Sequence, residues 1–273
     1  MAEVVLVALH RLETAAEMLD AAECLAHLIG GARITALAVR EPVHVSALGA
    51  ESLTYEADAL LAAKDREHRR MAALKQAFER WVADRPSSTI AVRWVEVEGN
   101  AATIMEERGN RADIVVISRP QEEDGASMRQ AVRAALFATE RPVLMLPPDP
   151  PVRFGRSVAI AWKDDPRMLK ALIPALRLLA RAEQVHVVIG VREGAARPVV
   201  PLVFREHDIR ADLHVLPIGS GSFGEMLLEK VHQLGADLLV MGAYAHSPVR
   251  EAILGGVTRY MLDHADLPVL MRH

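Results

Sequence analysis

The stretch MGAYAHSPVREAILGGVT, Met241 to Thr258, holds the residues of this chain best suited to chemistry. Gly242 ends an apolar run abruptly, and Gly255-Gly256 interrupt a pattern in which Val249, Ile253, Val257 and Met261 recur at helical spacing. Two glycines inside a helix cost about 2 kcal/mol relative to alanine, so a demand other than helix stability placed them. Glycine lets a backbone approach a ligand closely. The N–H groups of Gly256, Val257 and Thr258, opening a helix, would turn unpaired donors and the positive end of a dipole toward an anion. The chemistry implied is the cradling of phosphate. His246 in the same stretch offers a further donor, with an exposed loop histidine of no function as the alternative reading.

Other chemistry lacks its parts. No G-x-G-x-x-G follows the first apolar run, and neither GxxxxGK[ST] nor GxSxG occurs, which removes the usual signatures of dinucleotide redox chemistry, P-loop hydrolysis and the serine-hydrolase elbow. The 11 histidines show no metal-ligand spacing. A net charge of −4 provides no basic footprint for nucleic acid. Cys24 is the single cysteine, so no disulfide forms within the chain, in keeping with a reducing compartment. The first residues, MAEVVLVALHRLE, lack the pattern of a signal peptide, and no window reaches about 18 continuous apolar residues. The expectation is a cytoplasmic protein with no membrane partner.

The elements that must position the glycines appear as a repeat. ADIVVIS at 112–118 returns as ADLLVMG at 236–242, and RPVLML at 141–146 returns as LPVLMR at 267–272, with nearly the same separation each time. Between the copies lies LPPDPPVRFGR at 146–156, whose prolines oppose helix and central strand alike. The expected division is therefore 1–148 and 154–273. In the second half, short apolar runs at 157–162, 184–191, 211–218, 237–243 and 267–272 read as buried parallel strands. Helical patterns fall between them. Pro166 to Glu183 carries Leu169, Leu172, Leu176 and Leu179 on one expected face, and Ser222 with Glu225 forms a capping-box pattern ahead of a helix that stops at Gly235. The first half repeats the order with strands at 4–9, 33–39, 90–99, 113–118 and 142–147, and a long helix at 52–82 whose KDREHRR run reads as a solvated face. Alternating strands and helices predict a doubly wound α/β fold, with ligands beyond the strand ends where the order reverses.

Placed after the fourth strand, the glycine stretch resembles the nucleotide-binding signature of the universal stress protein family. That signature reads Gly, two residues, Gly, nine residues, Gly and then Ser or Thr, and the chain as a whole is similar to the family's tandem two-domain form. Gly242 and Gly255 match, Ala245 stands for the second Gly, Gly256 occupies the hydroxyl position, and Thr258 matches a further threonine of ATP-binding members. The family's Asp after the first strand is replaced by Lys163, followed by Asp164 and Asp165. Gly190 falls where members contact adenine through the backbone. The resemblance implies two tandem, Rossmann-like five-stranded parallel sheets of order 3-2-1-4-5, packed as a pseudo-two-fold pair, and open to further pairing as a homodimer.

It also implies a stress-response regulator whose C-terminal half binds ATP, ADP or AMP, with or without Mg2+. The first half lacks the signature. RPQEEDGASMRQAVRAAL follows its fourth strand, with Gly125 alone and Glu122, Glu123 and Asp124 expected to repel phosphate. One nucleotide per chain is the upper bound this sets. A same-fold scaffold that binds no nucleotide is the alternative, and a slow nucleotide hydrolase a third, for which no water-activating base or metal cluster is visible.

Overall fold

The computed structural model describes residues 3–42, 53–219, 221–243 and 256–273, over which strands and helices alternate. The first half contains β1 (Glu3–Ala8), α1 (Ala15–Leu28), β2 (Ala32–Arg40), α2 (Leu53–Ala83), β3 (Val92–Glu98), α3 (Ala101–Gly109), β4 (Ile114–Ser118), α4 (Ala126–Phe137) and β5 (Val143–Leu146). The second contains β6 (Ser157–Trp162), α5 (Pro166–Leu179), β7 (Gln184–Val191), α6 (Leu202–Glu206), β8 (Asp212–Pro217), α7 (Phe223–Gln233), β9 (Leu238–Gly242), α8 (Gly256–His264) and β10 (Val269–Arg272). Among the described residues no helix is long and apolar enough to cross a membrane.

The strands lie in the order β3-β2-β1-β4-β5-β10-β9-β6-β7-β8, so each half shows the expected 3-2-1-4-5 arrangement. The halves do not form separate sheets, however. Val143, Leu144 and Met145 pair antiparallel with Met271, Leu270 and Val269, joining them into one ten-stranded sheet. The edge strands explain this difference from expectation. Every residue of β5 is buried, as are the first three of β10. An apolar edge with unpaired N–H and C=O groups is a liability, and pairing each edge with its own repeat removes both.

Helices cover both faces. On one, α1, α2, α5 and α6 pack through residues such as Leu19, Leu74, Leu172 and Phe204. On the other, α3, α4, α7 and α8 pack through Met105, Val132, Leu227 and Met261. Of the expected leucine face of α5, Leu172 and Leu179 are buried and Leu176 packs against the core, whereas Leu169 is 39% exposed; Met168, Ala171, Ala175 and Leu178 complete the buried face. Pro174 sits inside α5 and cannot donate to the carbonyl of Lys170. Arg272 at the end of β10 donates to that carbonyl instead, at 3.3 Å. The same helix and the turn after it clasp the first half, where Arg177 pairs with Glu3 at 2.8 Å and Arg181, two residues past the helix, donates to the carbonyls of His27 and Leu28 at the end of α1.

The repeated Ala-Asp before β4 and β9 has a backbone role. Asp113 accepts from the Val4 N–H at 2.8 Å and its own N–H donates to the Val4 carbonyl, tying β4 to the start of β1. Asp237 does the same for β6 more extensively, accepting from the N–H groups of Gly155, Arg156 and Ser157 at 2.8, 3.1 and 3.2 Å. The repeated prolines act alike too: the carbonyls of Pro142 and Pro268 accept from Val115 and Leu239, each at 3.0 Å. Repeated sequence here marks repeated strand-start hydrogen bonds. Charge-assisted bonds to backbone contribute more than neutral ones, so Asp237→Ala is expected to destabilise by about 2–3 kcal/mol and Asp113→Ala by about 1 kcal/mol. Urea unfolding of the two variants measures the difference, and equal losses would count against the three-to-one reading.

Candidate functional site

The strand order reverses at β1 and β4 in the first half and at β6 and β9 in the second, so each half has one crevice beyond those strand ends. In the second half, the register Ala161↔Met241 sets the ends of β6 and β9 side by side. Gly242 is the last residue of β9, and α8 begins at Gly256. Gly256 is exposed, Val257 is half-buried against the helix-covered core, and Thr258 is buried. Among the described residues, a Cβ built on Gly256 would meet nothing within 4 Å. Lys163 and Asp164 follow β6 and are both exposed, with the Asp165 N–H donating to the Lys163 carbonyl at 2.8 Å. Ala245, His246 and Gly255 lie outside the described residues.

Gly190 has a packing role that the sequence did not reveal. It stands near the end of β7, one residue past Ile189, the partner of Trp162. A Cβ there would lie 2.7 and 2.8 Å from the Phe223 ring and 3.1 Å from Ile218. Phe223 opens α7, so the glycine sets how closely the start of that helix approaches β7. Ser222 caps the same helix as its pattern suggested, accepting from the Glu225 N–H at 3.4 Å.

The equivalent crevice of the first half is filled by its own side chains. Arg70 of α2 reaches over the ends of β1 and β2, donating to the His10 carbonyl at 3.0 Å and the Val39 carbonyl at 2.7 Å. Glu67 holds that guanidinium at 2.7 and 2.8 Å and accepts from the Glu41 N–H at 3.3 Å. Ser127 donates to the Glu41 carboxylate, and Arg11 pairs with Asp124 at 3.4 Å. Burial and the Arg70 charge push the His10 imidazole below its ordinary range, keeping it neutral, while the Arg70 hydrogen bonds hold Glu67 below the usual carboxylate range. The space left among Leu9, His10, Glu41, Met105 and Met128 is about 30 Å³, room for about one water.

Two sequence expectations change here. KDREHRR is not wholly a solvated face, because Glu67 and Arg70 are half-buried. The signal lay in the helical period: Glu67 and Arg70 continue the spacing of Met71, Leu74, Phe78 and Trp81 toward the strand ends. Asp124 does not stand out as a bare repelling charge either. It is 8% exposed, paired with Arg11, and accepts from the Gln121 N–H at 2.8 Å. Only Glu122 and Glu123 of that acidic run are exposed. Among the described residues no three His, Cys, Asp or Glu side chains gather to hold a metal ion.

The contact at Gly190 is directly testable. Overpacking at a filled site costs about 1–3 kcal/mol, so Gly190→Ala is expected to lower stability by that amount, with partial recovery when Phe223→Ala removes the ring. Chemical denaturation reads both effects. An unchanged midpoint in Gly190→Ala would remove the packing explanation.

Comparison with known proteins agrees with this architecture. The family model described as "Universal stress protein family" matches residues 114–273. A solved universal stress protein from Archaeoglobus fulgidus DSM 4304 superposes with a TM-score of 0.66 at 15% identity, over 98% of this chain and 97% of that one. A putative universal stress protein from Pseudomonas aeruginosa UCBPP-PA14 superposes with a TM-score of 0.60 at 16% identity, over 99% of this chain and 93% of that one. At these identities the structures speak for the fold. A search among curated proteins gave no match. The family model spans more than half of the residues, including the glycine stretch, and on that match the chain belongs to the universal stress protein family.

Proposed function

We propose that this chain is a stress-response regulator that binds one adenine nucleotide, ATP, ADP or AMP, in the crevice beyond β6 and β9. The observation carrying this reading is the start of α8. The first N–H groups of a helix have no partner inside it, and α8, which follows β9 of the switch point, begins with an exposed glycine whose Cβ would meet no described residue within 4 Å. Phosphate oxygens suit that space, both as acceptors and as charge at the positive end of the helix. Gly242, Gly256, Val257 and Thr258 would line the phosphate side together with Ala245, His246 and Gly255, and Lys163 would add a cation where the family more often has an acid. The adenine side falls to the end of β7 near Gly190. Mg2+ would accompany ATP through its phosphates rather than through a protein cage. The first half takes no part in binding, because Arg70 and its partners already hold the strand-end carbonyls there.

Calorimetric titration with ATP, ADP and AMP, with and without Mg2+, tests the reading. The expected result is a stoichiometry of one per chain, and no detectable binding of any of the three would overturn the reading. Gly256→Val should lower the affinity about tenfold, or about 1.4 kcal/mol, and circular dichroism checks that the variant is folded; among the described residues its Cβ meets no atom within 4 Å. Two nucleotides per chain, or a folded Gly256→Val protein that binds as tightly as the parent, would overturn it.

A further inference from the structure

The outermost strand of the second half is weakly buried. Among the described residues β8 pairs only with β7, and none of its six residues is fully buried. Val215 on one face is 47% exposed. Such a strand belongs to the low-stability end of a structure, and a single cross-strand contact weighs heavily in it.

That contact is a pair of histidines. His186 on β7 and His214 on β8 share the face covered by α7, and the Nδ1 of His186 lies 3.2 Å from the Nε2 of His214. The rings meet edge to face with centroids 5.2 Å apart. His186 is 7% exposed, and its other nitrogen, Nε2, is buried with no hydrogen-bond partner among the described residues. A bond between two neutral imidazoles needs one proton, and only one, between the facing nitrogens. If His186 donates, its buried Nε2 carries a bare lone pair, a cheaper orphan than an N–H.

We infer that the His186–His214 pair is a proton-sensitive latch, holding edge strand β8 on the sheet at neutral pH and releasing it on mild acidification. A proton added to His214 must go to Nε2, which turns it toward the Nδ1–H of His186, donor against donor. A proton added to His186 goes to the buried Nε2, creating an enclosed charge and an N–H with no acceptor. The groups facing the pair are Lys230 on α7, which opposes a further positive charge, and Asp212 on β8, which partly offsets it. Burial first, then His186 and Lys230, hold the His214 imidazole below its ordinary range. The sign follows. A freed histidine accepts a proton near pH 6.5, whereas latched His214 resists it, so the released state binds more protons and acid favours release.

The first half provides an internal contrast. At the opposite edge of the sheet, Thr35 on β2 accepts from Nε of Arg93 on β3 at 2.9 Å. Thr35 pairs in register with Arg93 as His186 pairs with Asp212. A guanidinium stays charged throughout this pH range, so the β3 edge has no equivalent switch.

Hydrogen exchange followed by mass spectrometry on the full chain, with EDTA present, tests the latch. Protection factors for Asp212–Pro217 and Val92–Glu98 are compared at about pH 7.5 and pH 5.5, the range in which histidine titrates. The expected result is a loss of protection in β8 about tenfold greater than in β3, one factor of ten per unit of proton linkage. His214→Gln, which can still hydrogen-bond to His186 but does not titrate, should abolish that difference. Imidazole nitrogen chemical shifts of the parent protein provide a second measurement should the variant fail to fold. They should show the shared N–H···N bond at neutral pH, lost as β8 exchange rises. Equal losses in β3 and β8, an unchanged pH response in folded His214→Gln, or histidines that titrate with β8 protection unmoved would each overturn the proposal.

Discussion

The antiparallel pairing of β5 with β10 is the interaction on which the rest of the molecule depends. Both strands are short, apolar and buried on both faces, and neither could end a sheet in water without exposing a row of unpaired backbone groups beside hydrophobic side chains. Joining the two copies of one strand satisfies each with the other, and it relates the halves through a seam in which Leu144 faces Leu270. The helix layers then close over the seam: Arg177 of α5 and Arg181 just beyond its end reach Glu3 and the end of α1, and Leu28 occupies the space a Cβ on Gly155 would need.

From this common frame the halves diverge at the strand ends. In the first, α2 is 31 residues long and carries Arg70 and Glu67 across the carbonyl ends of β1 and β2. In the second, the matching interval holds only the five residues of α6, with Phe204 as its buried anchor. No arginine from that helix crosses the ends of β6 and β7 among the described residues. The α8 of this half begins with the exposed Gly256. The difference in function proposed for the halves is thus a difference in what covers equal strand ends.

Much of this was legible in the sequence, because strands buried on both faces leave continuous apolar runs and the repeat preserved their spacing. The Ala-Asp and Pro-Val pairs were visible as similarity, and their cause is the set of strand-start bonds made by Asp113, Asp237, Pro142 and Pro268. What escaped were properties set by partners distant in sequence. Leu169 matched a helical leucine stripe whose Leu172 and Leu179 are buried, yet it lies at the margin of that stripe, and Met168 beside it is buried in the core instead. Gly190 looked like a ligand glycine, and only the placement of Phe223 shows that packing also forbids a side chain there. Arg70 was hidden in a charge run because its acceptors, the His10 carbonyl just past β1 and the Val39 carbonyl on β2, are far from it in the chain. The seam was hidden for the same reason: an apolar edge strand does not specify its partner.

The most direct test of the proposed nucleotide site in the second half, beside a first half filled by its own side chains, is a crystal structure of the full chain grown with ATP and Mg2+. The expected result is a single nucleotide, its phosphates against the first turn of α8 and Gly242, with Arg70 still bonded to the carbonyls of His10 and Val39. A nucleotide in the first half with Arg70 displaced, or phosphates bound away from α8 altogether, would contradict it.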